Sequence, residues 1–435
     1  MKIGIIGTGY VGFSTGVGFA ELGHSVICVD SNTKKIEHIK NGNMPIFEDG
    51  MEDIFKRNLD AKKIRFSTSM KDGVTDADVV IISVGTPTDP QTRTIDLSYV
   101  RQSATELAGF LGNYTVIVLK STVEVGTCDE IEGIISRENP TAEFDVVSIP
   151  EFLREGFAVH DFFNPDRIVI GTDSTRAQKV IEELYKPLLG KFPIVRVSRR
   201  SSEMIKYASN AFLAIKVHYI NEIANLCEQT GASIDEVRLG VGMDSRIGDK
   251  FLNPGPGYGG SCFPKDTSAM VSMGLKNGVR LSLVECAIAG NEKRKTDMAS
   301  RILDDIKGIV NPKMAILGLA FKGGTDDCRE SPAVEIIENV LKKSEIEIVA
   351  YDPRAMANAE NLLGNRIKYA RSAYAAAEET HLLVIATEWD EFKDLDLKKI
   401  KSTMVRPKIF DMRNVIDIRE AKKIGFVCSS IGRRT

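Results

Sequence analysis

Apolar runs of five or six residues alternate along this chain with stretches whose hydrophobic positions recur at helical spacing. That alternation predicts an α/β fold. The run 2–6 is apolar after its first residue, as in a parallel strand buried on both faces. A helical pattern over 11–22 stops at Gly23, and a second strand over 25–29 is closed by Asp30. Further strands are read at 78–83, 114–119, 144–149, 167–171 and 192–196. One long helix is read over 201–228, where Ile205, Ala208, Phe212, Ile215, Tyr219 and Ile223 recur at helical spacing and Gly231 supplies the stop. A second helical stretch covers 282–306. The opening pattern then returns: a strand at 313–317, a helix over 331–343 with Pro332 just inside it, and a strand at 346–351 tipped by Asp352. Strands at 381–386 and 408–411 follow. The expected fold is two Rossmann-like, doubly wound parallel-sheet domains, 1–196 and 311–435, joined by a helical central region, 197–310.

Composition narrows the function without naming it. A chain of 435 residues suggests two or three domains, and 43% hydrophobic content is enough for their cores. A net charge of -3 gives no electrostatic case for nucleic acid or an anionic membrane as partner. Seven cysteines, an odd number with no CxxC pair, read as reduced cytoplasmic thiols rather than a disulfide framework or a metal site. No apolar run approaches the roughly 18 residues a membrane helix needs. Met1 and Lys2 lead straight into a strand, so no signal peptide is expected.

Gly7-Thr-Gly-Tyr-Val-Gly12 stands between the first strand and the first helix. In that place each part has a task. Gly7 makes the tight turn, Gly9 lets the backbone approach a pyrophosphate, and Gly12 lets helix and strand pack closely. The helix N-terminus faces the phosphates. Asp30 accepts a ribose hydroxyl and repels a 2′-phosphate, so NAD rather than NADP is the expected cofactor. Thr86, Thr122, Glu151 and Glu155 all follow strand ends, where open α/β sheets bind ligands. Glu151 and Glu155 share a face if their turn is helical; paired carboxylates are more often merely solvated, but the strand tip favours a site. Lys322, Arg329 and Arg413 follow strand ends of the last domain and suit an anion such as a nucleotide diphosphate, with surface cations as the open alternative.

The stretch 251–266 is the densest in chemistry, with four glycines, three prolines and Cys262. Glycines let backbone pass close to a ligand and prolines stiffen the loop. A helix is read over 267–275, so Cys262 stands just ahead of a helix N-terminus with Lys265 three residues on. Both features favour thiolate over thiol, which points to a positioned nucleophile. Lys206 is the only charged residue between Glu203 and Lys216, with Asn210 one turn on. An exposed helix lysine and a site lysine fit that pattern equally.

These residues together resemble the nucleotide-sugar dehydrogenases of the UDP-glucose/GDP-mannose dehydrogenase family, and its UDP-glucose branch most. The match runs through Gly7–Gly12 with Asp30, Gly85-Thr-Pro87, Lys120-Ser-Thr-Val123, 150–156, Lys206 with Asn210, 251–266, and 319–333. Departures are Glu124, where the family usually has proline, and Ile149, where asparagine is common. Ser261 before the cysteine differs from the histidine of relatives acting on N-acetylated sugars. Phe263 and the Pro-Gly-Pro-Gly run differ from GDP-mannose relatives. A non-catalytic NAD-binding sensor would lack Cys262 or Lys206, and both are present. The resemblance implies a four-electron oxidation of UDP-glucose to UDP-glucuronate with two NAD. In it Cys262 is the nucleophile, Lys206 and Asn210 stabilise the oxyanion, and Asp266 holds water and Lys206. Glu151 is the base for thioester hydrolysis, and Thr122 places water. It implies NAD contacts from Gly7, Gly9, Val11, Gly12, Asp30, Lys35, Thr86, Thr122, Glu155, Lys265 and Arg329. It implies a sugar-nucleotide pocket lined by Glu151, Phe152, Leu153, Glu155, Lys206 and Asn210, and by Phe251, Leu252, Asn253, Pro254, Gly255 and Gly259. Lys322 and Arg413 complete that pocket, and Arg246 reaches substrate held by a neighbouring subunit of an expected homodimer.

Overall fold

Apolar runs become strands here because the sheets they join are covered on both faces. The computed structural model describes residues 1–89 and 94–433. In the first sheet these are β1 (Lys2–Ile6), β2 (Ser25–Val29), β3 (Ile64–Ser67), β4 (Val79–Ile82), β5 (Thr115–Leu119), β6 (Phe144–Ser148), β7 (Ile168–Gly171) and β8 (Ile194–Val197). Their spatial order is β3-β2-β1-β4-β5-β6-β7-β8. The strand order reverses between β1 and β4, the switch point at which such sheets bind ligands. Ile3, Ile5, Ile81, Val116, Val118 and Val147 meet Phe13 and Val17 of the helix Tyr10–Glu21 in one core.

The expectation of a wholly parallel first sheet needs one correction. β6 pairs with β7 antiparallel, and β7 pairs with β8 parallel, so the last two strands run against the rest. β6 and β7 meet only where they end, Ser148 opposite Gly171. β7 pairs along its whole length with β8 instead, from Ile168 to Gly171, so these two strands form a parallel pair that joins the rest of the sheet edge to end.

The second sheet comprises β9 (Lys313–Leu317), β10 (Glu347–Tyr351), β11 (Lys368–Tyr369), β12 (Leu382–Ile385), β13 (Lys408–Asp411) and β14 (Val427–Ser430). Its order is β11-β10-β9-β12-β13-β14, and every pairing is parallel. The winding repeats that of β3-β2-β1-β4-β5-β6. Trp389, the chain's single tryptophan, follows β12 and donates from Nε1 to Asp352 Oδ2 at 3.1 Å.

The chain divides into two compact units, Met1–Ser209 and Asn210–Thr435. A helix of 32 residues, Arg199–Thr230, begins in the first and ends in the second. The second unit also holds the helices Ile234–Gly242, Phe263–Lys276, Ser282–Asp305 and Pro332–Leu341. Ile220 and Ala224 of the long helix share a core with Met298 and Ile302 and with Ile316 and Val384 of the second sheet. No helix among the described residues is long and apolar enough to cross a membrane.

Candidate active site

The first unit carries a cradle of backbone at the end of β1. Gly7 has φ +95°, and a Cβ there would lie 2.8 Å from the Ser83 carbonyl oxygen. A Cβ on Gly12 would lie 1.9 Å from the Gly7 oxygen, so helix and turn touch backbone to backbone. Gly9 is the N-cap of Tyr10–Glu21, with no side-chain cap and no acid in the first turn. A Cβ on Gly9 would meet nothing within 4 Å, so open space faces the helix N-terminus. An anion fits there, held by N–H groups that no side chain occupies. Val11 lies in the same first turn.

Asp30 stands at the tip of β2. Its Oδ2 accepts from Thr8 N at 3.0 Å, Thr8 Oγ1 at 2.7 Å and Lys35 Nζ at 3.0 Å, and Oδ1 accepts from Asn32 N at 3.0 Å. Burial pushes its carboxyl upward, but the bonds from Thr8 and Asn32 and the charge of Lys35 together hold it below the ordinary range. An ionised acceptor is therefore fixed where a ribose would lie. Thr86 and Thr122, beyond β4 and β5, are both half-buried.

Glu151 and Lys206 form a buried pair in this unit, 7% and 4% exposed. Lys206 Nζ donates to the Glu151 carbonyl at 2.6 Å and to its Oε1 at 3.3 Å, while Oε2 accepts from Leu153 N at 2.5 Å. Lys206 is thus a buried lysine, not an exposed one. Residues 151–154 are not helical, so Glu151 and Glu155 do not share a helical face. Phe152 lies beneath two cations: Arg167 at 3.8 Å and Lys206 at 5.2 Å from its ring centre. Lys120, at the end of β5, is also buried, and burial pushes its ammonium down to about 8; Glu151 opposes that shift and Lys206 adds to it. Glu48 holds the loop from behind, accepting from Gly156 N at 2.8 Å and Ala158 N at 2.7 Å.

The second unit carries the glycine- and proline-rich loop. Its helix begins at Phe263 rather than near 267, and Cys262 is its N-cap. The early start follows from Pro264, whose fixed φ suits the first helical turn. Cys262 Sγ lies 3.6 Å from Ser261 Oγ. Asp266, fully buried, accepts from Asn210 Nδ2 at 2.6 Å and from Lys265 Nζ at 2.6 Å. Phe251 has φ +61°, a left-handed conformation that costs a bulky residue energy, and its ring lies 5.9 Å from that of Phe263.

Other predicted residues of this unit fall into place around the loop. Leu252 and Pro254 are buried, and Asn253 Oδ1 accepts from Arg238 at 2.7 Å. A Cβ on Gly255 would lie 3.0 Å from Arg413 Nη1, and one on Gly259 would lie 2.0 Å from the Glu330 carbonyl. Arg413 donates to the Ala386 and Phe321 carbonyls, each at 2.9 Å. Lys322 Nζ lies 5.5 Å from the Phe321 ring centre. Arg329 clasps Asp327 at 2.7 Å, and Gly260 N donates to the Arg329 carbonyl at 3.0 Å. Arg246 is highly exposed and pairs with Asp244 at 2.6 Å, away from the loop's own bonds.

Residues 1–189 match the NAD binding domain of the UDP-glucose/GDP-mannose dehydrogenase family, 200–293 its central domain, and 315–418 its UDP binding domain. The chain is 48% identical to UDP-glucose 6-dehydrogenase of Rhizobium meliloti (strain 1021), with 100% of each chain covered. The chain belongs to this family. It is also 42% identical to UDP-glucose 6-dehydrogenase TuaD of Bacillus subtilis (strain 168), covering 99% of this chain and 93% of that one. Among solved structures, a UDP-glucose dehydrogenase from the hyperthermophilic archaeon Pyrobaculum islandicum superposes with a TM-score of 0.90 at 34% identity. The superposition covers 98% of this chain and 97% of that one.

Membership gives the end domains their ligands: NAD for the first and a uridine diphosphate group for the last. Several residues around them escaped the sequence reading. Thr8 was visible only as the variable position of the glycine turn, although it donates twice to Asp30. Glu48 lies in an aperiodic stretch; it accepts from the Tyr10 hydroxyl, and its Gly156 and Ala158 partners are more than 100 residues away.

Proposed function

We propose that this chain oxidises UDP-glucose to UDP-glucuronate, taking four electrons from one carbon. The observation that carries the reading is Cys262 at a helix N-cap, with the Asn210–Asp266–Lys265 network at the first turn of that helix. The full-length likeness to UDP-glucose 6-dehydrogenases supplies the substrate. The enzyme is an NAD-dependent oxidoreductase. NAD, when bound, supplies the hydride acceptor, and the balanced reaction consumes the alcohol, two NAD⁺ and one water and yields the carboxylate, two NADH and three protons.

The residues divide that work. The primary alcohol of the sugar loses its hydroxyl proton and a hydride from its carbon, and becomes an aldehyde that must not escape. The Cys262 thiolate adds to the aldehyde carbon, and the resulting alkoxide is stabilised by the Lys206 ammonium and the Asn210 amide. Once that carbon is oxidised again, a thioester joins it to Sγ. Glu151 takes a proton from water, the water attacks the thioester carbon, and the thiolate departs. Asp266 orients Asn210, and Thr122 helps place water. Gly7, Gly9, Gly12 and the Asp30 carboxylate hold the dinucleotide with Val11, Lys35, Thr86, Glu155, Lys265 and Arg329. The sugar nucleotide rests on Phe152, Leu153, 251–255, Gly259, Lys322 and Arg413. By this division 1–196 serves NAD, 197–310 the covalent step and 311–435 the nucleotide.

Self-association belongs to the same reading. Phe212, Tyr219 and Leu226 recur every seven residues along the long helix and are 61%, 48% and 58% exposed. A second copy of the chain covers this stripe in the proposed homodimer, and Arg246 reaches the neighbour's substrate. Seven cysteines with no disulfide among the described residues suit a reducing cytoplasm. The test is NADH formation against a panel of UDP-glucose, UDP-N-acetylhexosamines and GDP-mannose, with product stoichiometry. Two NADH per UDP-glucose are expected; preference for another sugar, or one NADH per sugar, overturns the reading.

A further inference from the structure

Four backbone polar groups in 255–258 have no strand or helix to join, yet all lie in a buried stretch. Such groups need partners. Buried side chains from two helices supply them. Gly255 N donates to Asn221 Oδ1 at 2.8 Å, and the Gly255 carbonyl accepts from Arg294 Nε at 2.8 Å. Tyr258 N donates to Asn291 Oδ1 at 2.8 Å, and its carbonyl accepts from Asn291 Nδ2 at 3.0 Å. The Gly255 N–H and carbonyl are therefore held separately by two helices.

Arg294 is an expensive choice for this task. It is 4% exposed, and burial pushes its guanidinium down to about 10, helped by the charge of Arg301. Nη1 donates to Asn225 Oδ1 at 2.6 Å, but Nη2 is buried with no hydrogen-bond partner. A buried charge with one donor unspent destabilises the fold relative to a well-packed apolar side chain. What Arg294 gives in return is geometry. Gly255 stands 3.0 Å, at its Cβ position, from Arg413 Nη1, a cation of the proposed nucleotide pocket.

We infer that Arg294 is a positioning residue for the sugar nucleotide, acting through the Gly255 carbonyl, with Asn221 as its counterpart on the Gly255 N–H. The inference rests on the reading above, in which 251–255 and Arg413 line the sugar-nucleotide pocket. Arg294 touches no substrate itself. Its removal frees the loop backbone, so substrate must bind a less ordered pocket.

The experiment is steady-state kinetics on the full-length enzyme with Arg294→Met, Arg294→Lys, Asn221→Ala and the Arg294→Met/Asn221→Ala double variant, each with KM for UDP-glucose and for NAD, kcat and Tm. Arg294→Met raises KM for UDP-glucose by about tenfold or more, the effect of losing one charged hydrogen bond. KM for NAD and kcat move much less. Arg294→Lys recovers part of the loss, since an ammonium still donates to the carbonyl. The double variant falls short of the product of the single effects, because both side chains restrain one loop segment. A merely structural arginine lowers Tm and the active fraction while KM for UDP-glucose stays at its wild-type value, and that result overturns the inference. If Arg294→Met does not fold, Asn221→Ala decides by the same split. If the wild type prefers another nucleotide sugar, the function reading fails and the KM split is measured on that sugar. Wild-type enzyme that binds no nucleotide sugar overturns both.

Discussion

Cys262 and Glu151 set opposite kinetic signatures, which separates their proposed roles. Cys262→Ala removes the covalent step, so conversion to the acid stops while NAD and UDP-glucose still bind in calorimetry; near-normal acid formation defeats the assignment. Glu151→Gln spares thioester formation and slows its hydrolysis by roughly 10²–10⁴-fold. A burst of NADH precedes a slow steady state, and intact-protein mass spectrometry finds the sugar on Cys262. Asp30→Ala narrows the preference for NAD over NADP, read as the ratio of their kcat/KM values, because the carboxylate that repels a 2′-phosphate is gone. Lys120 carries a stability cost with a definite pH window. Its ordinary value of 10.5 falls to about 8 in the folded protein. Below pH 8 both folded and unfolded chains hold the proton, and the folded state bears the full cost of a buried charge. Between 8 and 10.5 only the unfolded chain keeps the proton, so the contribution to stability rises with pH until the cost is gone. Lys120→Met therefore raises Tm at pH 7, by up to about 3 kcal/mol of stability, with a gain that shrinks toward pH 10 in calorimetric scans. Much of this chemistry was readable one residue at a time. Cys262, Asp30 and the glycines announce themselves by their neighbours in sequence. Lys206 did not, because burial of a lone lysine depends on Glu151, 55 residues away.

Elements were legible where one residue type had no alternative. Gly7, Gly12 and Gly23 punctuate the strands and helix around the dinucleotide turn, and these elements fall within a residue or so of expectation. Short strands with mixed composition, such as Ile64–Ser67 and Val427–Ser430, carried too little pattern, as did the helix Ile234–Gly242. The reversal of β7 and β8 was unreadable for a different reason. Parallel and antiparallel strands share a period of two, and connection length does not separate them here: 19 residues lead from β6 to the antiparallel β7, and 15 from β13 to the parallel β14. The contact between the glycine turn and its helix makes a sharp prediction. Gly12→Ala places a methyl 1.9 Å from the Gly7 oxygen, which nothing short of moving the helix relieves. NAD affinity falls by at least about tenfold. UDP binding, read by calorimetry, stays near the wild-type value.

The molecule as a whole is two windings of one plan with a long helix running from one unit into the next. Only the first winding carries the dinucleotide turn; the second replaces it with the 318–324 turn and the cations Lys322 and Arg413. The exposed stripe on the long helix gives the molecular mass a testable value. Phe212→Asp with Tyr219→Asp shifts the light-scattering mass from dimer to monomer, since two charges at an apolar contact are costly to bury. An unchanged mass refutes that stripe as the contact.

Trp389 has an optical consequence. The only indole of the chain sits in the second sheet, its N–H held by the buried Asp352. Intrinsic fluorescence excited at the red edge is therefore a local gauge, blind to the first sheet, whereas far-ultraviolet ellipticity averages over both. Titrating denaturant with both signals yields two curves from one sample, and their separation measures how far the two windings melt as one transition. Repeating the titration with saturating NAD, the ligand of the first domain, turns the indole into a receiver: any shift of its midpoint is the share of cofactor binding energy that reaches the second unit, its proposed contacts Lys265 and Arg329 included.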